Sequence, residues 1–137
     1  MAWLNAVPKP PAGSKRAAMT DQGPQLTRIE RMKRDKVTPK LPPNPMPHLI
    51  GHLMEIGLSE AAGMGAAPLS WLTIDVWQRI TGVELSPWEA RLIRKLSVEY
   101  LAEGRRAESE TCPPPWRAAV TRSEREAETA RLMAVLG

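Results

Sequence analysis

Two histidines and a glutamate, His48, His52 and Glu55, have the types and spacing that could bind a metal ion. Side chains three and four residues apart share one face of a helix, so a zinc site is geometrically conceivable. However, HLIGH has no glutamate beside its first histidine, where a metalloprotease motif carries its general base, and no third His or Cys lies nearby. Two histidines flanking an apolar stripe are the simpler interpretation, and we expect no metal site.

Nucleophilic and phosphate-binding chemistry has no support from spacing either. The serines and the single Cys112 have no paired base at a suggestive distance in the sequence. The stretch GMGAAP lacks the lysine and the spacing of a phosphate-binding loop. A single cysteine cannot form an internal disulfide, which fits a reducing compartment. We therefore expect a protein that is not an enzyme and has no cofactor.

A basic patch on one predicted helix is the stronger candidate for function. In SPWEARLIRKLSVEYLAEGRR, the residues Arg91, Arg94 and Lys95 lie opposite an apolar face. The patch is either an ordinary solvated surface, with Lys95 pairing to Glu99, or a docking site for an acidic partner. That apolar face consists of Trp88, Leu92, Ile93, Leu96 and Tyr100.

A helix, a short turn and a second basic helix also suggest a DNA reader of the helix-turn-helix class. The comparison fails in detail, because Gln78 occupies a position where that motif needs a small residue. Three acidic residues, Glu89, Glu99 and Glu103, also flank the helix that would read bases. A small basic nucleic-acid-binding protein stays the alternative interpretation.

The elements that position these residues have clear boundaries in the sequence. Ser86 and Glu89 form a predicted capping box around Pro87, and Ser70 caps WLTIDVWQRI, which Gly82 ends. An earlier helix begins near Pro47 and runs through HLIGHLMEIGL, while EAAGMGAAP is expected to be a flexible loop. On the helix after Ser70, we expect one wide face to be buried in the core: Leu72, Ile74, Val76, Trp77 and Ile80.

Composition divides the chain into three predicted parts. Residues 1–45 form a proline-rich arm with nine basic and three acidic residues, expected to be largely disordered or ordered by a partner, although QLTRIERMKRDK can form a short helix. Residues 46–112 form a helical core domain, and residues 113–137 form a PPP spacer and a helix from Arg117 to Leu136. The fold class is all-α, with three to four short helices in the core. We expect a cytoplasmic protein without a signal peptide or membrane span.

The run from LPPNPMPHLIGHLMEIG through AAGMGAAPLSW to IDVWQRITGVELSPWEARLIRKLSVEYLAE resembles small tail assembly chaperones of long-tailed bacteriophages and prophages. That resemblance implies a non-enzymatic protein of the host cytoplasm that binds the tape measure protein, helps to recruit tail tube subunits, and is absent from the finished virion. Self-association is a further possibility. The candidate partner-binding residues are Met54, Met64, Trp71, Arg91, Arg94 and Lys95.

Overall fold

The computed structural model describes residues 1–20, 23–116 and 122–137, which form a mostly helical protein. The predicted start of the last helix, Arg117, lies outside these residues. None of the helices in the described part of the chain is long and apolar enough to span a membrane. The elements, in chain order, are α1 (Ala2–Asn5), α2 (Lys15–Thr20), α3 (Arg28–Arg34), α4 (Pro47–Ile56), β1 (Glu60–Ala62), β2 (Gly65–Ala67), α5 (Trp71–Thr81), α6 (Pro87–Arg106) and α7 (Arg122–Leu136).

The all-α prediction needs one correction, at the segment EAAGMGAAP. Strands β1 and β2 form a two-stranded antiparallel hairpin there, in which Glu60 pairs with Ala67 and Ala62 with Gly65. The connecting turn contains Gly63 at φ +47°, a left-handed conformation that a residue without a Cβ adopts easily. Strand β2 also packs against α6. The predicted flexible loop is therefore ordered, because it is both paired and packed.

The helix starts predicted at Pro47, Ser70 and Ser86 are confirmed. Ser86 accepts a hydrogen bond from the backbone N–H of Glu89, and the Glu89 carboxylate accepts one from the Ser86 N–H at 2.8 Å. Pro87 occupies the first turn, where no intrahelical N–H bond is needed. Helix α5 begins at the Ser70 cap and ends at Gly82, whose φ of +71° closes the helix in the left-handed region. Local capping chemistry thus sets both ends of the α5–α6 connection.

The core lies where α4, α5 and α6 meet. Each large aliphatic side chain buried there stabilises the fold by roughly 1.5–3 kcal/mol relative to leaving it in water. Partly buried residues pack around this centre, including Leu85 of the α5–α6 connection and Leu96 of α6. The buried residues of the core cluster are Leu49, Leu53, Leu69, Ile74 and Ile93.

A buried serine joins α6 to the loops on either side of the hairpin. The Ser97 hydroxyl donates to the Leu58 carbonyl at 2.8 Å and accepts from the Leu69 N–H at 2.9 Å. Ser97 has no exposed surface, so both backbone groups depend on this side chain for their hydrogen bonds. The serine therefore fixes the distance between α6 and the segments before β1 and after β2.

The N-terminal segment packs against the far end of α6. Helix α1 contacts α6 and α3, and Lys9 pairs in parallel with Ser109 through two backbone hydrogen bonds. Arg28, at the start of α3, is buried between them and donates to the carbonyls of Trp3, Ala107 and Ser109. Its desolvation lowers the pKa of the guanidinium. The three-part division at residues 45 and 113 stays a prediction.

Candidate partner-binding surface

Helix α5 buries only part of the face that the sequence predicts to be in the core. Ile74 and Trp77 are buried, but Leu72, Val76 and Ile80 are 71%, 42% and 78% exposed. These three residues follow one another at four-residue intervals, so they form a continuous row along one side of the helix, which we call the apolar stripe. The expectation that all five apolar residues of α5 face the core is therefore wrong for the three of the stripe.

The beginning of α5 is held in place by the hairpin. The Glu60 carboxylate accepts hydrogen bonds from the Ser70 N–H at 3.1 Å, the Ser70 hydroxyl at 3.2 Å and the Thr73 hydroxyl at 2.6 Å. These donors, Thr73 first among them, lower the pKa of Glu60. Because a carboxylate also interacts favourably with a helix N-terminus, Glu60 anchors the turn that carries Trp71.

The end of α5 is fixed relative to α6 by a side-chain hydrogen bond. The Gln78 side-chain oxygen accepts from the Leu85 N–H at 2.8 Å, across the turn between the two helices. Gln78, which is too large for the helix-turn-helix motif at its position, therefore sets the geometry of this turn. With both ends restrained, the apolar stripe is presented on a rigid element.

Trp71, at the start of α5, is in contact with Arg94 of α6. The Arg94 guanidinium carbon lies 5.4 Å from the centre of the Trp71 ring, within the range of a cation–π interaction. Both side chains were predicted to bind a partner from their residue types alone, and the structure places them in contact. The Arg94 Nε is buried and has no hydrogen-bond partner among the described residues. Such an unsatisfied donor typically costs about 1–3 kcal/mol.

Arg91 and Lys95 extend the positive charge along α6. Both are exposed, and neither takes part in any ion pair within the described residues. The predicted Lys95–Glu99 pair is not formed there. Trp88, one turn before Arg91, is also exposed although the sequence predicts it to be buried. The apolar stripe, Trp71, Arg91, Arg94 and Lys95 are the candidate contact residues of α5 and α6, and we refer to them together as the α5–α6 face.

The two predicted methionines lie elsewhere. Met54 is exposed on α4, and Met64 is fully exposed at the hairpin turn. Met64 lines an open groove of about 900 Å³ between the hairpin, the N-terminal segment and the C-terminal half of α6. Other residues of this groove are Ala2, Val7, Tyr100, Leu101 and Arg105. The structure therefore separates Met64 from Trp71 and Arg94 instead of uniting the six predicted residues in one site.

The two histidines contact side chains of other helices. The His48 Nε2 lies 3.6 Å from the Glu89 carboxylate, and the His52 ring centre lies 5.2 Å from that of Trp77. Within residues 1–20, 23–116 and 122–137, no group of three or more His, Cys, Asp or Glu residues could hold a metal ion. Glu55 therefore does not complete a site with the two histidines.

Sequence reasoning missed the exposure of the apolar stripe, although a signal was present. The five apolar residues of α5 cover more of its circumference than one neighbouring helix surface can bury. An excess of this kind predicts that some apolar side chains of the helix stay on the surface. The exposed apolar residues of α5 form a row of aliphatic side chains, unlike the scattered single apolar residues that are common on protein surfaces.

Fold and surface together define a small helical protein that exposes an apolar row on α5 and, on α6, cations outside the ion pairs of the described residues, as a binding protein does. A family model described as phage tail assembly chaperone matches residues 27–102, and the chain belongs to this family. The family indicates a non-enzymatic role and implies contact with phage tail proteins in the host cell. The matched residues include α3 to most of α6, and so the whole α5–α6 face. No curated protein and no solved structure matches the chain.

Proposed function

We propose that this chain binds the tape measure protein, tail tube subunits or both through helix-to-helix contacts in the host cytoplasm, and is absent from the mature virion. The observation that carries the proposal is the exposed row of Leu72, Val76 and Ile80 on a helix fixed at both ends. A row with four-residue spacing is the surface that an amphipathic partner helix covers. A long helical tail protein exposes such surfaces before assembly.

Shielding is the physical task that this surface would perform. Apolar helix faces left in water favour aggregation, and covering them with a matching face keeps the polypeptide in solution. Exposed methionines adapt to irregular partners, so Met54 and Met64 are proposed as secondary contacts outside the α5–α6 face. No bond-making step is needed for this role.

The test is co-expression of the chain with the tape measure protein of the same phage. We expect the two proteins to elute together and the tape measure protein to stay in the supernatant. The double variant Leu72→Ser/Ile80→Ser should abolish both effects. A matched control is Leu132→Ser/Val135→Ser, which removes two exposed aliphatic side chains from α7. Co-elution that survives the stripe variant contradicts the assignment of this face, and failure of the native chain to bind contradicts the proposed function.

A further inference from the structure

The open groove beside Met64, which we call the hairpin groove, has walls from the hairpin, the N-terminal segment and the C-terminal half of α6. Strand β2 is the strand that packs against α6, so its outer edge, turned away from β1, borders this groove. A Cβ added at Gly65 or Gly104 would meet no other part of the chain within 4 Å. The space over both the β2 wall and the α6 wall is therefore open.

The outer edge of β2 has backbone groups without a partner. Ala62 and Gly65 flank a two-residue turn, so the hydrogen bond of the turn joins this pair. Bonded and non-bonded pairs alternate along an antiparallel ladder, so Ala66, which faces Ala61, directs its N–H and C=O away from β1. Within the described residues, the sheet has no third strand and no backbone hydrogen bond from another segment reaches Ala66. Ala66 is exposed and lines the groove.

We infer that the hairpin groove binds an extended segment of a partner protein, which pairs with Ala66 as a third strand. Addition of a strand to an open sheet edge is an established mode of peptide recognition, in which backbone hydrogen bonds supply affinity. Apart from its short length, β2 has none of the features that protect an edge strand, since its residues GAA include no lysine, proline or bulge. The apolar stripe of α5 does not line this groove, so the inference is independent of the proposed function.

The walls of the groove indicate the side chains that the segment carries. Tyr100 and Leu101 are half-buried and offer apolar surface to it. The Lys9 ammonium is paired with the Glu108 carboxylate at 3.0 Å, whereas Arg105 is exposed and belongs to no ion pair of the described residues. Side chains of an extended segment alternate in direction. Apolar residues at every second position, with one acidic residue for Arg105, therefore fit these walls.

The dimensions of the groove favour a slender segment over a second copy of this chain. Tyr100 and Glu108 are eight residues apart on α6, which corresponds to about 12 Å along the helix axis. About four extended residues span that length at roughly 3.3 Å each, which matches the short β2. In a second copy, the same edge would itself lie in a groove beside α6, so two recessed edges would have to meet. A single extended segment has no such obstacle.

The experiment measures binding of three labelled hexapeptides to the full chain by fluorescence anisotropy. The reference peptide, acetyl-VTVTVE-amide, alternates apolar and polar residues and carries one acid. The second peptide has methyl groups on its two central amide nitrogens, and the third ends in Gln instead of Glu. We expect the methylated peptide to bind at least about tenfold more weakly than the reference, because it loses backbone donors. The Gln peptide should bind about threefold more weakly.

Variants of the full chain locate the paired edge. Ala66→Pro removes the N–H at the groove and should weaken binding of the reference peptide at least about tenfold. Ala61→Pro is the matched control, since it removes the outward N–H of the opposite edge and Ala61 does not line the groove. Neither N–H belongs to the ladder between β1 and β2. Arg105→Gln should remove the difference between the Glu and Gln peptides, and circular dichroism establishes that each variant keeps its helices.

The outcomes that overturn the inference are separate from those that bear on helix binding. Equal binding of the reference and methylated peptides to the native chain overturns strand pairing, whatever the proline variants do. Absence of binding of all three peptides at about 1 mM also overturns it. A dimer that light scattering detects in the native chain and in Ala61→Pro, but not in Ala66→Pro, would assign the edge to a second copy instead. None of these results affects the proposed function, which is tested by co-elution with the tape measure protein.

Discussion

Two arginine–tryptophan contacts in this protein share their chemistry and differ in their surroundings. The Arg28 guanidinium lies 4.5 Å from the Trp3 ring centre, and that of Arg94 lies 5.4 Å from the Trp71 ring centre. Arg28 is buried and bonded to three backbone carbonyls, whereas Arg94 is half-buried and its Nε has no partner among the described residues. The first cation has its hydrogen bonds within the chain, and the second still has one to make.

The positions of the two arginines along α6 explain the difference. Arg28 meets the carboxyl end of the helix, where carbonyls lack intrahelical donors and the helix dipole favours a positive charge. Arg94 lies in the middle of α6, where the backbone carbonyls are already bonded within the helix. Hydrogen-bond accounting therefore separates a cation with three backbone acceptors from a cation whose Nε has none among the described residues. Residue type and contact with a tryptophan do not separate the two arginines, because both share them.

The largest effect is expected from Arg28→Met. Three carbonyls lose a charged donor and the contact with Trp3 is lost, so opening of the N-terminal junction should become easier by about 2–4 kcal/mol. Hydrogen exchange of the Lys9 and Glu110 amides measures that opening, because these amides bridge the two segments. Arg34→Met, at the exposed end of α3, is the control. Unchanged protection in Arg28→Met would show that the arginine does not hold the junction.

Ser97 extends the comparison of the two arginines to an uncharged side chain whose hydroxyl both donates and accepts a hydrogen bond. Ser97→Ala leaves the Leu58 carbonyl and the Leu69 N–H without their partner inside the core, so the free energy of unfolding should fall by about 1–3 kcal/mol. The midpoint of urea denaturation measures the loss. Ser109→Ala, at an exposed serine, should shift the midpoint little. Equal midpoints for the two variants would contradict the role of Ser97.

The anchor of α5 gives a pH dependence with a defined sign. Hydrogen bonds from Thr73 and Ser70 hold the pKa of Glu60 below its ordinary value of 4.5. Its contribution to stability is therefore present above pH 4.5 and is lost as the pH falls through the lower, folded-state pKa. In Glu60→Gln, denaturation curves between pH 6 and 3 should show a smaller acid-side loss than in the native chain. Glu84→Gln, at an exposed glutamate, should keep the native profile.

The smallest effect on stability is expected from Arg94→Met. Met removes an unsatisfied buried donor, which costs about 1–3 kcal/mol, and also the contact with Trp71, worth about 0.5–1 kcal/mol, so the free energy of unfolding should not fall. Urea denaturation beside Arg28→Met tests the comparison directly. A loss as large as that of Arg28→Met would mean that Arg94 supports the fold, and the distinction between the two arginines would fail.

Local signals predicted the helices well. Ser86 with Glu89 and Ser70 with Gly82 set helix ends through contacts within a few residues, so the sequence alone indicates them. The hairpin was missed because its alanines and glycines have low strand propensity. It is held by contacts outside the strands, from Glu60 to the start of α5 and from β2 to α6. The residues of EAAGMGAAP do not by themselves indicate those contacts.

The candidate surface was predicted in part. Trp71 and Arg94 were named from their types, but their contact joins two different helices and follows from the fold alone. The spacing of Leu72 and Ile80 indicates an apolar row without indicating whether the chain covers it. Burial of Arg28 is equally hidden, because its partners lie as many as 81 residues further along the chain. Sequence periodicity assigns residues to faces, and tertiary packing decides which faces stay open.

The N-terminal junction also sets an order of events during translation. The Trp3 indole N–H donates to the Cys112 carbonyl, a contact between residues 109 positions apart. At synthesis rates of about 5–20 residues per second, the segment that carries Trp3 must wait on the order of 5–20 s after its own synthesis before Cys112 exists. This segment is therefore made well before its partner and docks late.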